Sequence, residues 1–347
     1  MKNLFLVSLL LLLLISCKTD PKIPEIKGPI REVNIHRFEK ELFGMDTSQI
    51  KNGVNQLLIK YPVLSRIFFQ DIMSFAENID SVDEKFYFSI KEFIQDSFMR
   101  SIAHRIDSMY GDMSEIKKEF ERTQSFAKHY FPASKPIDLY TMISGFNVGN
   151  IIFSNTDSSD GMGISLDFYL GNDYNYKYVN PNYELFSNYI TRSFNKHHIQ
   201  KKSWMAFADD NIADKNLNTL LDHMIYEGKK LYLLKKIIPD MQDTVLYEFK
   251  PEQVDWCIKN RMDIWSFIKD KQLLGITKRN EIVRYLNPSP TTLGLPKESP
   301  GRAVIFIGYD IVNAFMKQHP QYTIQDLIKE ESAQKILDES KYKPKNG

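Results

Sequence analysis

The sequence lacks an excess of charge of either sign. Lysine and arginine number 45, and aspartate and glutamate number 44, so the formal net charge at pH 7 is +1. The chain has no long basic stretch and no acidic tail, whereas proteins that bind nucleic acids usually carry a clustered basic surface. We therefore expect no nucleic-acid partner.

Several motifs of nucleotide-binding and hydrolytic enzymes are also missing. There is no Gly-x-Ser-x-Gly nucleophile elbow and no Gly-x-x-x-x-Gly-Lys-Ser/Thr phosphate loop. The segment 161–163, Gly-Met-Gly, lacks the rest of a dinucleotide-binding fingerprint. The sequence thus offers no signature of a cofactor, and we expect none.

The N-terminus carries an apolar run, Leu4–Ile15, that is too short to span a bilayer, which takes about 20 residues. It predicts a secretory signal over residues 1–16. The run ends in Leu-Ile-Ser-Cys, which resembles a bacterial lipobox; the resemblance implies cleavage before Cys17 and acylation of that residue. The alternative is an ordinary signal peptide followed by a chance cysteine. Because Cys257 is the one other cysteine, no disulfide is expected within the chain, and Cys257 is predicted to lie in the core.

Residues 17–30 are predicted to form an acylated tether, because three prolines and alternating charges favour an extended chain. Lys18 follows the cysteine with no acidic run behind it, so a clear surface-export signal is absent. We expect the body, residues 31–347, to face the periplasm and to be held to a membrane by its lipid anchor.

Residues 31–132 are predicted to be mainly helical after a short strand at 33–35. Apolar residues recur there at spacings of three and four, the pattern of helices that bury one face. Helix starts are predicted at Asp83–Glu84 and Ser114–Glu115. The clearest apolar stripes are Phe86, Ile90 and Ile94, followed by Ile102, Ile106 and Met109.

The pattern changes after Pro132. Segments 138–146, 150–153 and 163–170 are predicted strands, and turn-rich stretches separate them. Helical periodicity returns near Tyr183 and continues to the end of the chain. The expected fold is α+β and mostly helical: a helical part over 31–132, then a small antiparallel sheet with helices over 133–347.

One later segment resembles part of a metallopeptidase. In zincin-type enzymes one helix carries His-Glu-x-x-His, and a later helix supplies a third ligand, often within Glu-Gly. Glu227-Gly228 follows the predicted strands in that order, but no histidine precedes a glutamate and no two histidines are four residues apart.

His223 and Glu227 are four residues apart, so one helix face could present both to a cation; the alternative is an ordinary i,i+4 pair. We expect a degenerate zincin-like body without a bound metal, in which His223, Glu227, Gly228 and Lys229 mark the remains of the site. Lys229 and Lys230 are predicted to be solvated. Gly228 and Gly308 are predicted to permit close helix contacts, so that valine at either position would cost stability.

Five segments carry a resemblance to one family, and they extend from the sheet to the C-terminus. They are residues 163–171, 224–232 with Pro239, 256–260 with Trp265, 300–302 with 307–312, and 340–344. Together with the lipobox they resemble the GldB family of gliding-motility lipoproteins of the Bacteroidetes. The chain departs from the family's pattern at Arg261, where the family has a glutamate after the asparagine.

The resemblance implies an envelope lipoprotein required for gliding motility and associated with the gliding and type IX secretion machinery. Two functions then stay open. In the first, the body binds other envelope proteins of that machinery without catalysis, which the missing His-Glu-x-x-His favours. In the second, it is a zincin-related metallohydrolase that acts on envelope protein or polymer.

Overall fold

The computed structural model describes residues 23–26, 30–156, 158–214 and 216–345. The predicted signal (1–16), Cys17 and most of the predicted tether lie outside these residues. Within the described ranges, no helix combines the length and the apolar character needed to cross a bilayer.

The N-terminal part is a group of helices that follows one short strand. The strand β1, Ile35–Arg37, lies two residues later than predicted and leads directly into the first helix. A π-helical segment, Ile67–Ile72, extends the third helix. The helices are α1 Phe38–Phe43, α2 Ile50–Lys60, α3 Pro62–Arg66, α4 Glu84–Gln95, α5 Ser97–Met109 and α6 Ser114–Tyr130.

The predicted helix starts of this part are confirmed, and so are the apolar stripes apart from Met109, which is 38% exposed. The Asp83 carboxylate accepts a hydrogen bond from the backbone N–H of Phe86 at 3.2 Å, which caps α4. Phe86, Ile90 and Ile94 are all buried on one face of that helix. The spacing of apolar residues therefore identified the faces that pack inward.

A four-stranded sheet lies between the two helical parts. Its other strands are β2 Ile137–Met142, β3 Ile151–Ser154 and β4 Asp160–Ser165, and the order across the sheet is β1-β2-β4-β3. The α+β, mostly helical fold is confirmed, but the sheet is mixed rather than antiparallel. The β3–β4 pair is antiparallel, whereas the β1–β2 and β2–β4 pairs are parallel. After β2 the chain crosses to the far edge of the sheet, where it forms β3, and then turns back to form β4 between β3 and β2.

The strand predicted over 163–170 ends at Ser165, and a 3-10 helix, Leu166–Tyr169, follows it. The buried Asp167 carboxylate accepts hydrogen bonds from the Phe146 backbone N–H at 2.6 Å and from the Ser144 hydroxyl at 3.2 Å. Burial raises the pKa of Asp167 to about 6, although these hydrogen bonds act in the opposite direction. These hydrogen bonds connect Asp167 to the loop after β2, at the point where the chain leaves the sheet.

Helices make up most of the remaining chain. Their buried side chains join those of the sheet and of the N-terminal helices in one continuous core, in which Cys257 is fully buried as predicted. The helices are α7 Asn188–Thr191, α8 Ile199–Asn211, α9 Leu220–Ile237, α10 Asp243–Tyr247, α11 Pro251–Lys259, α12 Arg261–Asp270, α13 Arg279–Leu286, α14 Ala303–Gln318, α15 Ile324–Lys329 and α16 Ala333–Ser340.

Candidate functional site

All four residues predicted as remains of a metallopeptidase site lie on α9. Thr219 and Asp222 form a capping box that fixes where this helix begins. The Glu227 carboxylate lies 2.6 Å from the ammonium of Lys230, which also contacts Asp209 at 2.9 Å. Glu227 therefore pairs with the residue three positions on, and not with His223 as the i,i+4 alternative supposed.

His223 is partly buried one turn before Glu227. Burial lowers its pKa, although the neighbouring Asp222 and Glu227 act to raise it. A neutral imidazole is a competent metal ligand, but a site needs further donors. In the described part of the chain, no three histidine, cysteine, aspartate or glutamate side chains come together in a way that would hold a metal ion.

The prediction that Lys229 and Lys230 are solvated is wrong. Their exposed fractions are 8% and 6%, because α9 packs against neighbouring helices on almost every side. The Lys229 ammonium donates to the backbone carbonyl of Glu330, which follows α15. Burial lowers the pKa of Lys229 to about 8, although the nearby Glu330 and Glu331 act to raise it. Lys229 thus anchors a C-terminal segment to α9.

Gly228 lies where α9 meets α14. A Cβ atom added to Gly228 would lie 2.5 Å from the backbone oxygen of Gly308, and one added to Gly308 would lie 2.1 Å from the backbone oxygen of Met224. Both distances are shorter than real Cβ contacts. The structure therefore shows the close helix contact that these two glycines predicted.

A second constellation, which the sequence analysis missed, surrounds Glu248. This residue ends α10 in the left-handed region, with φ of 55°, and its carboxylate lies 2.7 Å from the ammonium of Lys201 on α8. Burial alone would raise the pKa of Glu248, but the charges of Lys201, Lys202 and Arg302 hold it well below its usual value. One partly buried carboxylate, 19% exposed, thus has three cationic neighbours.

Arg192 adds a fourth positive charge. Its guanidinium donates two hydrogen bonds to the backbone carbonyl of Glu248, at 2.6 and 3.0 Å, and one to the side-chain oxygen of Gln253 at 3.3 Å. All of these acceptors are neutral. The interactions hold the segment before α8 against the turn after α10.

A cavity of about 540 Å³ opens beside this constellation. Arg192 and Lys201 line it from one side, and Glu119, Arg122 and Thr123 of α6 line it from another. The segment from the end of α9 into α10 completes the wall. Its volume is within the range of about 300–1,000 Å³ that is common for small-molecule sites.

Comparison with known families assigns the chain. The model of the family described as gliding motility protein GldB matches residues 16–344, nearly the whole sequence. The chain belongs to the GldB family. No curated protein and no solved structure matches it. The family resemblance carried by the sequence segments is thereby confirmed.

Three of the segments that resemble GldB meet in space. Arg261, at the start of α12, contacts the Asp310 carboxylate of α14 at 2.7 Å, and the hydroxyl of Tyr342 donates to the same carboxylate at 3.2 Å. The Tyr342 ring also packs edge-on against Trp265, with 5.5 Å between ring centres. Arg261 and Tyr342 thus share the Asp310 carboxylate, which joins α12 and the C-terminal segment to α14.

The sequence contains little that would predict the Glu248 constellation. Its charged members come from four separate stretches of chain, so no local spacing joins them. The one local signal is the adjacent pair Lys201-Lys202 in the first turn of α8, where Lys201 is 6% exposed. Adjacent lysines on a helix usually face solvent, and only the fold reveals that these two flank the partly buried Glu248 carboxylate.

Proposed function

We propose that this GldB-family chain is a lipid-anchored envelope protein that serves gliding motility by binding other components of the gliding and secretion machinery. Its lipid is carried by Cys17, and its body faces the periplasm. The observation that carries the proposal is the family match, which includes Cys17 and continues to residue 344.

The local structure of α9 supports binding rather than catalysis. Three of the four residues predicted as remains of a zincin-like site make structural contacts. Glu227 is ion-paired to Lys230, Gly228 touches the backbone of α14, and Lys229 holds the carbonyl of Glu330. A metallohydrolase acting on envelope protein or polymer is the competing function, and it requires Glu227 to be free for a metal.

Replacing Glu227 by glutamine tests these two functions in a gliding host that lacks its own copy of the gene. We expect normal gliding, because Lys230 keeps Asp209 as a partner. The matched control is Glu252→Gln, which removes a carboxylate that is 69% exposed and 3.8 Å from Lys250. Loss of gliding by Glu227→Gln alone, at normal protein level and thermal stability, would contradict the binding proposal and favour the hydrolase.

The anchor is tested by Cys17→Ala together with metabolic labelling by a fatty acid. We expect the variant to carry no label and to leave the membrane fraction, and we expect globomycin to accumulate the uncleaved wild-type precursor. Continued membrane fractionation of the unlabelled variant would contradict the lipid anchor. Crosslinking in living cells, with Cys17→Ala as the mislocalised control, should enrich gliding and secretion components with the wild-type chain; no enrichment over the control would count against binding.

A further inference from the structure

The strand β3 forms one edge of the sheet, and its backbone faces two ways. It is the last strand in the order β1-β2-β4-β3 and pairs with β4. In an antiparallel pair, successive residues direct their N–H and C=O groups alternately toward and away from the neighbouring strand. The N–H of Asn155, just after β3, donates to the carbonyl of Ser159, just before β4, at 3.2 Å. By the same alternation, Phe153 and Ile151 face β4.

Ile152 and Ser154 consequently direct their backbone groups away from the sheet. Within the described ranges, neither residue has a hydrogen bond from its N–H or C=O to a group on that outer side. Ser154 is exposed and Ile152 is half-buried, so this side of β3 is accessible. A row of unpaired N–H and C=O groups is a template for a further strand. An added strand would gain about four backbone hydrogen bonds, two from each residue.

The sequence of β3 omits the usual protection of an edge strand. Edge strands commonly carry a lysine, a proline or a β-bulge that keeps other strands away. Residues 151–154 read Ile-Ile-Phe-Ser, without a charge or a proline, and their register with β4 runs without a bulge. The composition of this edge therefore favours pairing with another strand.

The side chains of β3 lean away from its outer side. A Cβ atom added to Gly161 of β4 would lie 2.2 Å from the ring of Phe153, and one added to Gly163 would lie 2.7 Å from Cγ1 of Ile151. Because these two glycines have no side chains, Phe153 and Ile151 lie over β4 instead of over the edge. The packing thus covers β4 and leaves the outer backbone of β3 free.

Both ends of β3 are held in place. Before the strand, the Asn150 side chain donates to the Ser203 hydroxyl of α8 at 2.7 Å. After the strand, the Asn155 side chain donates to the hydroxyl of Tyr140 on β2 at 2.9 Å. An edge that is already extended and fixed loses little conformational entropy when a partner binds.

Asp210 adds a negative charge on the same side of the molecule. It follows Ser203 by seven residues, so both lie on one side of α8, the side that Ser203 turns toward β3. Asp210 is exposed and has no ionic partner in the part of the chain that the structure describes. A cationic side chain on an added strand would complement it.

We propose that β3 accepts an extended segment of a partner polypeptide, which pairs with the backbone of Ile152 and Ser154 and presents a lysine or arginine to Asp210. This inference rests on the proposed protein-binding function and names the surface that performs it. A second copy of this chain fits less well, because residues 151–154 contain no cation for Asp210. Strand addition to an edge takes its affinity from the backbone and its specificity from alternate side chains.

The first test is amide-resolved hydrogen exchange of the purified, full-length chain in detergent. We expect the amides of Ile152 and Ser154 to exchange at least about tenfold faster than those of Ile151 and Phe153, which are bonded to β4. Equal protection of all four amides would show that the edge is not open and would overturn the proposal.

The second test repeats the crosslinking in living cells with Ser154→Pro, which removes an outward N–H that β4 does not use. The matched control is Ser97→Pro, at the exposed first position of α5, where a helix tolerates proline. We expect the enrichment of gliding and secretion components to fall at least about fivefold with Ser154→Pro and less than about twofold with Ser97→Pro. Asp210→Lys should also lower it, whereas Asp255→Lys, at an exposed position of α11, should not.

The outcomes separate the surface from the function. Equal enrichment with Ser154→Pro and Ser97→Pro would overturn the role of β3 and leave the protein-binding function standing. Absence of enrichment with the wild-type chain would contradict that function, and this inference with it. A crosslink through β3 between two copies of this chain alone would overturn the choice of partner. Thermal unfolding verifies that each variant is folded; should Ser154→Pro not fold, Ser154→Lys replaces it, with the same expected loss.

Discussion

Adding one methyl group at Gly228 should push α9 and α14 apart. In Gly228→Ala the new Cβ would lie 2.5 Å from the oxygen and 2.6 Å from the carbon of the Gly308 carbonyl. These are backbone atoms in the middle of a helix, so no side chain can turn away to make room. The two helices must separate by at least about half an ångström in an interior packed at crystal-like density.

The expected loss in the free energy of unfolding is the difference between two opposing effects. Overpacking of this kind costs roughly 1–3 kcal/mol, and rigid backbone atoms place the cost at the upper end. Alanine recovers about 1 kcal/mol of helix propensity. We expect the free energy of unfolding to fall by about 2 kcal/mol in Gly228→Ala. Gly308→Ala, whose Cβ would lie 2.1 Å from the Met224 oxygen, should lose at least as much.

The assay is urea denaturation followed by circular dichroism, which yields the free energy of unfolding for each variant. Gly275→Ala is the matched control, because a Cβ at Gly275 has no neighbour within 4 Å; it should change stability by less than about 0.5 kcal/mol. The double variant at Gly228 and Gly308 should lose less than the sum, since helices already separated accommodate the second methyl more easily. A Gly228→Ala variant as stable as the wild type would refute the reasoning.

Two further predictions concern charged groups. Arg261→Ala should lower the free energy of unfolding by about 2 kcal/mol, because it leaves the Asp310 carboxylate, 13% exposed, without its cation. The control is Lys278→Ala, which breaks an exposed ion pair and should cost less than about 0.5 kcal/mol in the same denaturation assay. Equal losses in the two variants would contradict the prediction. Burial lowers the pKa of His198 from 6.5 to about 4, so the unfolded chain binds a proton that the folded chain does not. Stability should therefore fall as the pH falls from about 6.5 to about 4. His198→Gln should reduce the total stability lost over that range by about 1–2 kcal/mol, whereas an equal loss in the variant and the wild type would contradict the prediction.

Sequence patterns predicted the features of this molecule that depend on residues close together in the chain. The Asp83 cap and the stripe of Phe86, Ile90 and Ile94 need only the geometry of one helix to be recognised. Gly228 and Gly308 were identified because glycine inside a helix is costly unless something lies close to it. The α+β, mostly helical character could be predicted for the same reason, since each element carries its own period.

What the sequence did not reveal depends on contacts between distant segments. The sheet is mixed because β1 pairs with β2 across about a hundred residues, and no turn signal encodes a parallel neighbour. Lys229 was expected in solvent, but α9 is enclosed by helices that both precede and follow it in the chain. Gln200 illustrates the limit most clearly: a glutamine in a helix is ordinary in sequence, and only the fold shows that it is buried against Trp204 and Thr123. Such contacts are properties of the packed interior, so no local pattern of this sequence could have predicted them.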